Sequence, residues 1–334
     1  MPIPFILGGA AALAGGYGVK KGLDAKEDMD KAKRTNERAR ELAASTERRI
    51  DNTRESTNNS LQDLGRRKIS ILAGSLNEFV ENFSRIKNVN ITDSVGLEEL
   101  RGFNPNSKEF LDMKEAGFKA SELATGGLGG IAAGTLTAAG AYGAVGLLAT
   151  ASTGTAIAGL TGAAATNATL AWLGGGALAA GGFGMAGGAL VLGGIVAGPA
   201  LAIGGAFMAA KAEKALNDAR SNYDQARRFE QEGENICSTL RAIKDRAVQI
   251  EYLLNDLDEY LSDYVSRMSS IISARGTNWD DYRPDDKKYI GIAAQLAKTT
   301  KTVIDTSLLR EDGKLNDSAS RKSVEAGRKV LENI

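Results

Sequence analysis

Residues 182–187 read Gly-Phe-Gly-Met-Ala-Gly, a literal G-x-G-x-x-G. In a dinucleotide site this spacing turns the chain tightly and lets backbone N–H groups at a helix start approach a pyrophosphate. A strand must come before it, and an acidic residue about 20 positions later must hold the ribose. Neither requirement is met, because the next carboxylate is Glu213. No Gly-Lys-Ser or Gly-Lys-Thr occurs in the chain. The surrounding region is more than one-quarter glycine, so chance supplies the match, and no nucleotide is expected as a partner.

Other chemistry-bearing residues are equally restrictive. Histidine is absent and Cys237 is the lone cysteine, which removes zinc sites built from these ligands, thiol–imidazole pairs and any internal disulfide. Cys237 neighbours the apolar stripe of a helical pattern, which favours an inert core thiol, with redox sensing or an intermolecular bridge as the alternative. Asp280, Asp281, Asp285 and Asp286 gather near Trp279. Paired carboxylates do acid–base work when an apolar surround separates their protonation, whereas a run of them in a loop reads as solvent-facing turn chemistry. No catalytic residue, cofactor or metal is expected, and the chain is not read as an enzyme. Lys plus Arg and Asp plus Glu number 41 each, so no basic field draws the chain to nucleic acid.

What stands out instead is where charge is missing. From Leu123 to Ala210 there is no charged residue in 88 positions, whereas the rest of the chain is charged at one residue in three. A free linker would mix glycine with Ser, Pro or charge, but here Leu, Ile, Val, Phe, Met and Trp172 interleave with it. Such apolar surface does not remain in water. Small residues recur every fourth position: Gly126, Gly130, Gly134 and Ala138, then Gly146, Thr150, Gly154, Ala158 and Gly162. The pattern continues with Ala180, Gly184 and Gly188, then Gly194, Gly198, Ala202, Ala206 and Ala210. On a helix each series lies along one face and lets two backbones approach closely, as in small-xxx-small packing between membrane helices. Pro199 bends or ends a helix. The block has length for three or four spans of about 20–25 residues. Gly, Ala and Thr dominate it, although Leu, Ile, Val and Phe are the residues that drive insertion. Two expectations follow and both stay open. One is a conditionally membrane-inserting, oligomerising, pore-forming or permeabilising protein, with a lipid bilayer and copies of itself as partners. It would be membrane-associated, and soluble in the cytoplasm before insertion. The other is a structural scaffold or anchor whose glycine-zipper block is an assembly core.

The flanking elements must position that block. An apolar arm over 1–22 ends at Lys20 and Lys21; no basic residue precedes it, so it is read as retained rather than as a secretory signal. Residues 23–122 hold a long helix from Leu23 to about Ile86, roughly 95 Å at 1.5 Å per residue, with Gly65 and Gly74 as weak points. Its first half carries a thin stripe of Leu23, Met29, Ala32, Ala39, Leu42, Ala43 and Ile50, and its second half a richer one from Leu61 to Ile86. Asp93 or Ser94 opens a short helix, and Asn106 or Ser107 caps another that runs into the 123–210 block. Over 211–275, Ile236, Leu240, Ile243, Ala247, Ile250, Leu254, Leu257, Leu261, Val265, Met268 and Ile272 step by three or four, a seam for another helix. Gly276 and Pro284 break it, and 276–334 reads as a cap of two helices near Asp285–Thr306 and Ser318–Asn333. No alternating strand pattern occurs. The fold class is all-α: a long helical hairpin or bundle, its two long helices antiparallel, with an apolar Gly/Ala-rich helical head.

The run TASTGTAIAGLTGAAATNATLAWLGGGALAAGG, with GGIVAGPALAIGG, SVGLEELRGF and IDTSLLREDGKLND, resembles a bacterial family that has an apolar arm, charged helical flanks and a glycine-zipper-like centre. That resemblance carries no activity. In organisation the chain is similar to α-helical pore-forming toxins of the cytolysin A type, which implies an apolar head shielded in water and exposed on assembly. It departs from them in its longer apolar block and in its second apolar arm.

Overall fold

A computed structural model describes residues 19–91, 100, 102–125, 212–310 and 315–334. Residues 1–18 of the apolar arm, the Asp93 or Ser94 cap and all of the small-residue positions from Gly126 to Ala210 lie outside the described residues, Trp172 and Pro199 among them. The described part holds six α-helices, α1 (Val19–Ala73), α2 (Ser75–Ser84), α3 (Lys108–Thr125), α4 (Ala212–Arg275), α5 (Pro284–Asp305) and α6 (Asp317–Glu332), and a 3-10 turn at Trp279–Asp281. No strand occurs among the described residues, and the only bridges there are isolated, at Lys87–Asn278 and Leu309–Leu315. The protein is all-α.

Local chemistry explains the helix ends. The expected single helix to Ile86 breaks at Gly74, where a β-carbon would come within 3.0 Å of the Ser70 carbonyl oxygen. Ser107 Oγ accepts the Phe110 N–H at 3.4 Å and caps α3. Gly276 takes φ 81° after the last turn of α4, and its N–H returns to the Ile272 carbonyl at 2.9 Å. Pro284 opens α5 with its fixed φ, and Asp286 accepts the Arg283 N–H at 3.1 Å. Asp286 also pairs with Arg275 at 2.6 Å. The acidic run near Trp279 is thus helix-start chemistry, with Asp280, Asp281 and Asp285 exposed.

The residues group into two compact units, one within Met1–Glu47 and Pro199–Glu232, the other within Arg48–Gly198 and Gly233–Ile334. In the first, α1 buries Ala32, Ala39 and Thr46 while α4 buries Ala219, Ala226 and Phe229. Asn222 Nδ2 donates to Asn36 Oδ1 at 3.0 Å in this seam. Met29 is not part of the buried stripe; it is 47% exposed.

In the second unit, the contacts between α1 and α4 climb together along both helices. Arg49 meets Glu234 at 3.7 Å, Thr57 Oγ1 donates to the Leu240 carbonyl at 3.1 Å, Lys244 donates to Ser56 Oγ at 2.7 Å, and Arg67 meets Asp258 at 2.9 Å. The Lys87–Asn278 bridge beyond them is parallel as well. The two long helices therefore run parallel, which corrects the antiparallel expectation: a stripe at steps of three and four names the buried face but not the direction of its partner. The return path is supplied by α3, which runs opposite to α1 and α2. Phe110 packs on Phe79 and Phe83, while a β-carbon at Gly117 would lie 3.3 Å from the Leu72 carbonyl oxygen. Helix α5 descends along α4 from the Arg275–Asp286 pair, and α6 rises beside α4, Arg246 bonding Asp317 and Ser320, with Gly327 against Leu253.

The core of this unit holds the expected stripes, Leu61 through Ile86 on one side and Ile243 through Ile272 on the other. Phe79, Phe83, Phe103 and Phe110 form an aromatic cluster with ring centroids 5.1–6.5 Å apart. Each fully buried Leu, Ile or Phe contributes about 1.5–3 kcal/mol by leaving water, and aromatic pairs about 1 kcal/mol more. Among the described residues, no helix is long and apolar enough to cross a membrane.

Candidate functional site

Five helices meet where α1 gives way to α2, and polar groups concentrate there. Leu72 and Asn77 flank the Gly74 break; Gly117 of α3 lies against them, and a β-carbon at Gly117 would sit 3.2 Å from Asn77 Oδ1. From α4, Asp258 reaches both sides of the break, pairing with Arg67 of α1 at 2.9 Å and accepting a hydrogen bond from Ser75 Oγ of α2. One carboxylate straps the two helices together. Glu251, a turn or two earlier on α4, has its carboxyl pushed up by partial burial and by the neighbouring Asp63 charge, against the pull of Arg67.

Lys68 lies inside this joint, fully buried between Leu64 and Leu72. Burial holds its ammonium well below the ordinary lysine range, at about 7, while the opposing charge of Asp305 favours the protonated form. Desolvation dominates, because an ammonium loses more on leaving water than one nearby carboxylate restores. Asp305 ends α5, and its carboxylate pairs with Lys301. The same carboxylate lines a cleft of about 160 Å³ between α3 and α5, together with Glu109, Asp112, Met113, Lys298, Lys301 and Thr302. Lys298 meets Glu109 at 3.0 Å across it. Glu109 and Asp305 of the cleft thus already have lysine partners, and among the described residues no group of acidic or thiol side chains is arranged to hold a metal ion.

Cys237 is buried with Sγ 3.8 Å from the Arg49 carbonyl oxygen, the environment expected of a packed thiol. Of the acidic residues around Trp279, Asp286 caps α5 and pairs with Arg275, while Asp280, Asp281 and Asp285 are exposed. Gly126, Gly130, Gly134, Gly146, Gly154, Gly162, Gly184, Gly188, Gly194, Gly198, Pro199, Ala202 and Trp172 lie outside the described residues. Lys68, Asp258 and Asp305 are additions. Lys68 carries a signal in its four-residue spacing from Leu64 and to Leu72, which sets a lysine on a buried face. Asp258 and Asp305 carry no such signal, since an acidic residue on a long charged helix reads as solvated.

Comparison with protein-family models, with curated proteins and with solved structures finds no match.

Proposed function

We infer that the protein is a conditionally membrane-inserting helical protein that oligomerises through its uncharged block and permeabilises a bilayer. The observation that carries this reading is the pairing of the first parts of α1 and α4 in the first unit. Their N-terminal ends belong together, joined through Asn36 and Asn222. The two uncharged stretches of the chain end where these helices begin, the apolar arm before Val19 and the 88-residue block before Ala212. Both apolar segments therefore run into paired helices of the first unit, and the uncharged block begins directly after α3 of the second. Two apolar segments that lead into one helix pair suit a protein that presents them together to lipid. Helix-packing stripes at Gly194, Gly198 and Ala202, and at Gly154 and Gly162, support close contact between copies. The organisation is similar to that of α-helical pore-forming toxins of the cytolysin A type.

Flotation with anionic and zwitterionic liposomes, combined with release of an entrapped dye, tests the reading. Insertion predicts flotation and release after a trigger such as detergent priming. A chain that floats without releasing dye, and stays in the pellet on alkaline carbonate extraction, is a resident anchor instead. A chain that does neither overturns the reading.

A further inference from the structure

Helix α3 leaves Leu111 and Phe118 in solvent, 50% and 61% exposed. Seven residues apart, they lie on one face of the helix, with exposed Lys114 between them and Glu122 bordering the strip a turn beyond. The opposite face is fully used. It buries Phe110, Met113, Ala116 and Ala120 at 0–1% exposure, and a β-carbon at Gly117 would come 3.2 Å from Asn77 Oδ1. Helix α3 therefore cannot roll to hide Phe118 without drawing Phe110 out of the phenylalanine cluster. Charge beside the strip is largely neutralised: Glu115 meets Lys119 at 2.8 Å, and Glu109 meets Lys298 at 3.0 Å. Helix α3 ends at Thr125, and from Leu123 the chain runs uncharged to Ala210.

We propose that Phe118 and Leu111 form an interfacial anchor: when the uncharged block enters a bilayer, this strip of α3 lies in the phospholipid headgroup layer. The anchor rests on the membrane reading above, and helix geometry names its occupant. Phe118 stands seven residues before Thr125, so at 1.5 Å per residue it lies within about 10 Å of the start of the uncharged chain. The headgroup layer is about 5–8 Å deep on each side of the hydrocarbon, so an inclined α3 sets Phe118 within it. Leu111 lies about 20 Å from the same point and reaches the layer only when α3 lies close to the surface, as a helix with one apolar face does. A bilayer that holds the block is tethered to the strip, whereas a second copy must arrive by diffusion. Lys114 extends its ammonium to the phosphates on an apolar stem, and the Glu122 carboxylate keeps the anchor out of the hydrocarbon.

The test uses the full-length chain carrying Trp172→Phe and Trp279→Phe, with either Phe118→Trp or Leu111→Trp supplying the sole tryptophan. Both sites are exposed, so these two replacements leave the bundle packed. Phosphatidylcholine vesicles carry a spin label on the headgroup or bromine deep in the acyl chains. In the floated fraction after triggering, each tryptophan should be quenched more strongly by the headgroup label than by the deep bromine. Phe118→Glu in the otherwise unaltered chain should weaken vesicle partitioning about tenfold. A chain that floats with its tryptophan at position 118 unquenched, or whose partitioning is unchanged by Phe118→Glu, overturns the anchor and leaves the membrane reading standing. Stronger quenching by the deep bromine overturns the headgroup location, and quenching at 118 without 111 overturns the part given to Leu111. Blue-shifted emission already present in buffer overturns the lipid assignment, in favour of a second copy where it depends on protein concentration and of the chain's own uncharged block where it does not. A chain that never floats overturns the membrane reading and the anchor with it.

Discussion

Replacing Asp258 by alanine is the sharpest perturbation of the joint. Its carboxylate meets Arg67 at 2.9 Å with side chains only 28% and 19% exposed, and it accepts the Ser75 hydroxyl proton as well. An exposed ion pair is worth about 0–1 kcal/mol, whereas breaking a buried one costs about 3–5 kcal/mol because a charge is left uncompensated. Arg67 Nε is already buried without a hydrogen-bond partner, so removal of Asp258 strips the guanidinium of most of its compensation. At this intermediate exposure the ion-pair loss is about 2 kcal/mol, and the orphaned Ser75 hydroxyl adds about 1 kcal/mol. Asp258→Ala should therefore destabilise by ~3 kcal/mol in urea unfolding followed by far-ultraviolet circular dichroism. Asp258→Asn keeps an acceptor for Ser75 and should cost about 2 kcal/mol. The double variant Arg67→Met with Asp258→Leu removes both charges and should return most of the loss. An alanine variant within about 0.5 kcal/mol of the wild type, the size of an ordinary surface change, refutes the strap. So does a double variant less stable than Asp258→Ala.

Three further outcomes follow from the packing. Phe83→Ala empties a fully buried site that stacks on Phe79 at 5.1 Å and should cost about 3–5 kcal/mol in the same urea assay. A β-carbon at Gly327 would lie 2.7 Å from Leu253 Cδ2, so Gly327→Leu should lift α6 from α4 and expose it to limited proteolysis while α1 and α4 stay protected. Cys237 is fully buried, and its alkylation should proceed at the rate of unfolding, unaccelerated by reagent concentration once unfolding limits it.

How much of this was legible depends on what each residue type can signal alone. Gly276, Pro284 and Ser107 punctuate the chain by fixed backbone chemistry, so the bounds of α4, α5 and the start of α3 could be read directly. The stripe from Ile236 to Ile272 named its buried face without error, because burial and periodicity are the same fact seen twice. Direction was not legible: Thr57 against Leu240 and Arg67 against Asp258 are long-range pairings that leave no mark on either helix by itself. Asn36 and Asn222 read as surface residues singly and become a register contact only as a pair. The joint was half legible, since Gly74 showed as a weak point and Lys68 sat on the apolar stripe. What Asp258 and Asp305 do depends on α4 and α5 arriving beside it.

The central claim, that the uncharged block meets lipid, is tested most directly by its own tryptophan. The chain has two, Trp172 in the block and Trp279 buried in the bundle, so Trp279→Phe leaves Trp172 as the sole tryptophan, excited at the red edge where tyrosine does not absorb. Mixed with vesicles containing brominated phospholipid, this full-length variant should show blue-shifted emission and strong quenching after triggering, and neither in buffer. Emission that remains unquenched by brominated lipid under conditions that float the protein contradicts the account.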